Sequence, residues 1–461
     1  MLRRAVFGVL PSELESVVDL GMNGAVTQLI QSSPARPPPV NDYNNYQNSG
    51  FEDVTVAAGE TWVKAIYDGD AEGLYITSLK GWLVENIVNQ EMTMHEKMLP
   101  FWYKLLVTQS WDVFASKISY EYFTLLREDA FGNYKALVKL ITLDPAVLLF
   151  LNGAFNIKDA PDENYGRELQ ELCCIGKGVD SNYSEEDVRA ASRVLTGWTL
   201  RGEDFDTEGE VVSVFYPPYH DTSGKQFSSF YNSRVIVGRE GVAGMEEVDE
   251  LIDMLFENME TAKYICRRLY TFFVYHEIDA VIESTIITPL AKIFRNNNYE
   301  VKAVLETIFK SAHFYEASQY GAMIKSPVEY HFSIYRTLRY SYPTTKVQTK
   351  LYRHLTMLWY ISAIGMEIGY PLSVAGWPAY YQAPQFDKSW ITSDSISKRA
   401  EISDAMTVWG VYLTEDEFIP VDMISCAKSL SQPADPNALI TSLAELFYGI
   451  PITTEIRDEL K

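Results

Sequence analysis

The sequence predicts a mainly α protein: a large multi-helix globular domain with a small β-hairpin excursion near residues 210–232. Three observations carry this expectation. Apolar side chains recur at helical spacing along most of the chain, start and stop signals flank those stretches, and one turn-rich segment alternates instead. With 47% of its 461 residues hydrophobic and 22% charged, the chain has ample apolar material for a core.

The elements follow in chain order. Leu14, Val17 and Val18 open the helical pattern, with Ser12 of "PSELE" as the expected N-cap. The stretch "SPARPPPVNDYNNYQNSG" (33–50) is rich in Pro and Asn and reads as an exposed excursion between helices. Leu79, Trp82, Leu83 and Ile87, then Leu137, Leu140 and Ile141, resume the helical period, with Gly132 and Asn133 read as a stop signal. "DENYGRELQELCCIGKG" reads as a helix from Asp162 or Glu163 that ends at Gly176 and Gly178, and "YSEEDV" as a capping box of Ser184 and Asp187. In "VVSVFYPPYHDTSGKQFSSFYNS" alternating residues flank "PPYHDTSGK", the expected hairpin. Helices then continue to the end, one of them capped by Ser326 with Pro327 at its first position and Glu329 three after the cap. The expected organisation is one domain over 1–461, with sub-parts 1–200 (helical), 201–240 (β-excursion) and 241–461 (helical).

Composition narrows function. The 39 Lys and Arg against 62 Asp and Glu give a net charge of -23, which repels a phosphate backbone and points away from nucleic acid. The most apolar window, "LTMLWYISAIGMEIGYPL", is interrupted by Glu367 and glycines, so no transmembrane segment is expected. Four cysteines without a C-x-x-C pair suit neither a disulfide scaffold nor a zinc site, and the adjacent Cys173 and Cys174 point apart on a helix. "HEKML" opens like a zincin helix, but Leu99 stands where the second histidine belongs, and phosphate-loop, G-x-S-x-G and dinucleotide fingerprints are missing.

The acidic stretch remains. Tyr165, Leu169, Leu172 and Cys173 form an apolar stripe, while Asn164, Glu168, Glu171 and Ile175 lie on the next one. Arg167 precedes Glu171 by four residues, and the following helix carries Arg189 and Arg193 one turn apart. Antiparallel packing would set the two acids against three arginines. The leading reading is an ion-pair network that fixes how two helices dock. The alternative is an acid/base pair, or ligands for a divalent cation, completed by His220 and Asp221 of the hairpin turn. "GWPAYYQAPQFDKSW" (376–390) is dense in aromatics and prolines; buried it is loop packing, exposed it is a stacking surface for sugars or for a partner's surface.

These segments carry a resemblance. "LRRAVFGVLPSELE", "EKMLPFWYKLLVTQ", "LLREDAFGNYKALVKLITLDPAVLLFLNG", "DENYGRELQELCCIGKG", "YSEEDVRAASRVLTGW", "HDTSGKQF", "IKSPVEY" and "GWP" stand in the order of a large bacterial family known as domain of unknown function number eighteen hundred, and the resemblance runs from end to end. It implies a mostly helical protein, usually exported and often encoded beside a partner that looks like the sulfatase and alkaline phosphatase superfamily. No reaction is implied. The opening "MLRRAVFG" is too short for a signal peptide and looks like the family's mature start, so the expectation is an exported protein of the periplasm or cell surface with its leader absent from this chain, the alternative being cytoplasmic. Where the family often reads Phe-Trp-His-x-His-Phe, Tyr103 and Leu105 stand at the histidine positions, and Cys173 stands where an aromatic or histidine often follows the Leu. Asn164, Arg167, Glu168, Glu171, Trp198, His220 and Asp221 match. The functional expectation is a protein that binds a partner protein or glycan, with a hydrolase using Glu168, Glu171, His220 and Asp221 as the alternative.

Overall fold

The computed structural model of the chain describes residues 1–461 apart from 46–48, 179, 203–210, 341–346, 415–416 and 420. Its longer helices in the first half are α1 (Pro11–Leu29), α2 (Glu72–Val88), α3 (His95–Tyr103), α4 (Ser116–Glu128), α5 (Tyr134–Thr142), α6 (Glu163–Glu168) and α7 (Glu185–Val194). Four short strands follow, β1 (Trp198–Arg201), β2 (Val212–Phe215), β3 (Lys225–Gln226) and β4 (Val235–Ile236). The second half adds α8 (Glu246–Glu257), α9 (Met259–Phe273), α10 (Thr288–Asn296), α11 (Val301–Lys310), α12 (Pro327–Thr337), α13 (Val347–Ala363), α14 (Ser393–Asp404) and α15 (Pro436–Phe447). Among the described residues one connected apolar core runs from Leu2 to Cys426.

Local chemistry explains most of these boundaries. α1 starts with Pro11 at its first position, and the Glu13 carboxylate, not Ser12, accepts from the Leu10 amide at 3.0 Å. Glu13 also pairs with the buried Arg336 at 2.5 Å, tying α1 to α12. Of the Leu14, Val17 and Val18 stripe, Leu14 is 45% and Val18 72% exposed while Val17 is partly buried against the core, so periodicity found a helix but not its buried side. In α2 the stripe Leu79, Trp82, Leu83 and Ile87 is buried, facing α4 and α13. Asn133 does not end a helix; its Oδ1 accepts from the Ala136 amide at 3.0 Å and so starts α5.

The 33–50 excursion is less exposed than its composition suggests. Asn41 and Tyr43 are buried, Tyr43 and Tyr75 both donate to the Asp53 carboxylate at 2.7 and 2.8 Å, and Trp82 Nε1 donates to Pro37 O at 2.7 Å. Residues 46–48 of it lie outside the described residues.

The β-excursion is present as two antiparallel pairs. β2 pairs with β1, in register Trp198 with Phe215, and β3 pairs with β4. "PPYHDTSGK" therefore links two small ribbons instead of closing one, because Pro217 and Pro218 have no N–H to offer a ladder and the Asp221 amide donates to Thr196. Residues 203–210, on the approach from β1, lie outside the described residues. A third pair, Val411–Thr414 with Glu417–Ile419, interrupts the helices expected to the end of the chain. In the 376–390 segment Trp377 and Trp390 are buried, with Trp377 against Tyr103 at 6.2 Å and Trp390 against Tyr380 at 5.7 Å between centroids. It packs as a loop onto helices, and only Tyr381 among its large aromatics is more than a third exposed.

Candidate functional site

The acidic helix and its neighbour pack against each other, as the charge pattern predicts. Asp162 caps α6 by accepting from the Asn164 amide at 2.7 Å. After Glu168 the helix widens into a π-helical stretch, Leu169–Cys174, whose end is marked by Gln170 O accepting from the Ile175 and Gly176 amides at 2.7 and 3.2 Å. Gly176 ends it at φ +82°, where a Cβ would stand 2.7 Å from Tyr264 Cε2. Glu163 meets Arg189 while Arg167 meets Glu185, so the partners run in opposite directions and the pair is antiparallel. A Cβ on Gly166 would lie 2.8 Å from Ser192 N and 2.9 Å from Val188 O; the missing side chain is what lets α7 approach. Gly166→Ala is expected to destabilise the fold by about 2–3 kcal/mol, read from urea unfolding midpoints; an unchanged midpoint would mean that the two backbones separate at no cost.

The arginines choose other acids than Glu168 and Glu171. Arg167 binds Glu185 in fork geometry, 2.9 and 2.6 Å, and reaches Glu163 at 3.4 Å. Arg189 binds Glu163 at 3.1 Å and Glu186. Arg193 binds Asp221 Oδ2 at 2.6 Å, the Ser223 hydroxyl and Gly224 O at 3.1 Å. Glu171 pairs with Lys177 at 2.9 Å. The expected facing of two acids and three arginines fails because Glu163, one turn earlier on the outer face, meets Arg189 first, while Glu168 turns inward. The Glu163, Glu185 and Glu186 pairs lie at the surface, where each is worth below about 1 kcal/mol.

Glu168 is 9% exposed and has no ion pair among the described residues. Burial, with the Glu171 charge beside it, lifts its carboxyl from an ordinary 4.5 to about 7, against the pull of Lys177 and Arg167. Burial likewise pushes the nearby Cys173 thiol up to about 12. A carboxyl that holds its proton more tightly in the folded state costs nothing below pH 4.5, and its penalty grows to full size above pH 7. Glu168→Gln is therefore expected to raise stability by about 2 kcal/mol at pH 8 and by nothing near pH 4.5. Thermal unfolding across that range measures it, and a gain independent of pH would refute a buried carboxylate charge as its cause.

His220 and Asp221 belong to a different cluster. The His220 ring is 1% exposed, with Nδ1 2.8 Å from Thr196 O and Nε2 3.1 Å from Glu247 Oε1. Both nitrogens thus face acceptors. Glu247 also takes the Lys225 ammonium and the Arg239 amide, the latter at 2.7 Å, and Lys225 donates to Asp221 O as well. Burial alone would raise the Glu247 carboxyl, but His220 and Lys225 hold it below its usual range. Burial opposes ionisation of Asp221 too, yet Arg193 and Ser223 bring it down to about 2. Of the remaining expected residues, Asn164 Nδ2 donates to Leu151 O at 3.3 Å, and Trp198 is buried with its ring 5.3 Å from Phe215.

The geometry therefore separates Glu168 and Glu171 from His220 and Asp221. Among the described residues no three His, Cys, Asp or Glu side chains come together in a group suited to a metal ion. Sequence reasoning missed Lys225 and Glu247, which center the His220 cluster, because 22 residues separate two charges whose local patterns are unremarked. It also took Glu329 as a capping residue alone. Glu329 does accept from the Ser326 amide at 2.8 Å, and it also pairs with the buried Lys97 of α3.

Comparison places the chain. No curated protein and no solved structure matches it. One family model matches over residues 1–461, that of "Protein of unknown function (DUF1800)", and the chain belongs to that family.

Proposed function

We propose that the protein is an exported, non-catalytic helical protein of the bacterial cell envelope that binds a partner protein. The observation that carries this reading is an apolar groove of about 590 Å³ beside the outward stripe of α1, lined by Leu14, Val17, Ile450, Pro451 and Ile452. Val18, Tyr448 and Leu460 are also exposed, by 72%, 66% and 60%, and exposed apolar surface of this kind suits protein association. Export rests on the family resemblance, and no helix among the described residues is long and apolar enough to cross a membrane. The 376–390 segment supports neither a sugar nor a partner stacking on it, since Trp377 and Trp390 are buried. The partner that resembles the sulfatase and alkaline phosphatase superfamily is the first to test. Co-expressed, the two proteins are expected to co-elute, and Val18→Asp with Ile450→Asp to weaken the complex at least about tenfold. Separate elution, or a complex indifferent to both substitutions, would remove this reading.

A second reading, a hydrolase, is favoured by one observation: a Glu168 carboxyl at about 7 without an ion pair among the described residues is poised for proton transfer near neutral pH. In that case any hydrolytic rate found should follow a group near pH 7 that disappears in Glu168→Gln. A rate indifferent to that change would discard it.

A further inference from the structure

A second cavity lies between the first turn of the chain, the end of α9, the 314–325 segment and the start of α12, with a volume of about 150 Å³. Its walls carry three cations, Arg3, Arg4 and Lys325, and the aromatic rings of Phe272, Phe273 and Phe447. None of the three cations forms an ion pair among the described residues. Among the described residues Arg4 donates only to main-chain carbonyls, Val274 O at 3.1 Å and Gln319 O at 2.9 Å. Lys325 donates to the Ser333 hydroxyl at 2.8 Å, and Arg3 Nε is buried without a partner. The one carboxylate in the wall, Glu329, is committed to Lys97 and to the Ser326 amide. In a chain of net charge -23, this is a local excess of positive charge held beside apolar rings.

We propose that this cavity binds a small organic carboxylate about the size of benzoate, its carboxylate against Arg4 and Lys325 and its body against Phe272, Phe273 and Phe447. The size follows from the volume, since about 150 Å³ is the space that a benzene ring occupies in a protein cavity. The charge follows from the walls, because a desolvated anion satisfies both cations through charge-assisted hydrogen bonds. A phosphate alone would leave the aromatic walls uncovered. Burial supports the assignment by lowering Arg3 and Arg4 from their usual range and Lys325 to about 8, a cost that a bound anion offsets. The charged groups acting on the Lys325 amine are Glu329 from α12, Lys97 from α3, Arg3 from the first turn and Arg399 from α14; Glu329 favours its charge and the three cations oppose it. The site adjoins the α1 groove, sharing Met1, Arg3 and Gly449 with it, and does not rest on the partner-protein reading.

Titration calorimetry of the full chain with sodium benzoate, benzamide and inorganic phosphate tests the proposal. Benzoate is expected to bind at one site, benzamide at least about tenfold more weakly, and Arg4→Gln or Lys325→Met to reduce benzoate affinity by about tenfold or more. In the unaltered chain, raising the pH from 7 to 9 should weaken benzoate binding as Lys325 loses its proton, an arm that needs no variant to fold. No binding of benzoate, equal binding of benzamide, affinity unchanged by pH and by both substitutions, or binding of phosphate alone would each overturn it.

Discussion

Glu247→Ala is expected to lower the free energy of unfolding by about 3–5 kcal/mol, because it strands the Lys225 ammonium, which is 0% exposed in its side chain, without a carboxylate. The Arg239 amide loses its acceptor and His220 Nε2 the carboxylate 3.1 Å away. Breaking a buried pair costs far more than the pair contributes relative to apolar residues of the same volume. Lys225→Met with Glu247→Leu should therefore recover most of the loss. Urea unfolding of the single and double variants measures both. A single variant within about 1 kcal/mol of the parent would mean that the cluster is open to water and free for other work.

Asp187→Ala carries the second large effect, about 3–4 kcal/mol. Its carboxylate is fully buried and takes four hydrogen bonds, from the Ser184 amide and hydroxyl at 2.7 and 2.9 Å and from the Ser228 amide and hydroxyl at 2.6 and 2.7 Å. The same side chain thus starts α7 and fastens the β-excursion onto it. An ordinary cap is worth about 1 kcal/mol. A loss of that size or smaller on chemical unfolding would show that the Ser228 contacts add nothing.

The capping boxes of Ser184 and Ser326 were legible in the residues, since a cap is a contact over three positions and needs no tertiary knowledge. So were the helical period and the pairing of the acidic helix with its successor. The choice of partners was not legible. Arg189 takes an acid from each helix, Glu163 and Glu186, while Glu168 lies inward ahead of the π-helical stretch. Lys97 with Glu329 joins residues 232 apart, and Arg4 meets Val274 and Gln319 across 270 and 315 residues. The cationic cavity exists only once these elements are docked, since 321 residues separate Arg4 from Lys325 in the sequence. The outward stripe of α1 failed for a related reason, because period reveals an apolar face without saying what covers it.

Whether the His220, Glu247 and Lys225 cluster is architecture or machinery is decided most directly by the Lys225→Met, Glu247→Leu double variant, assayed for unfolding and for association with the sulfatase-like partner in one preparation. The expected result is a folded protein within about 1–2 kcal/mol of the parent that associates with unchanged affinity. A variant equally stable but unable to associate would contradict it and place the function in those buried charges.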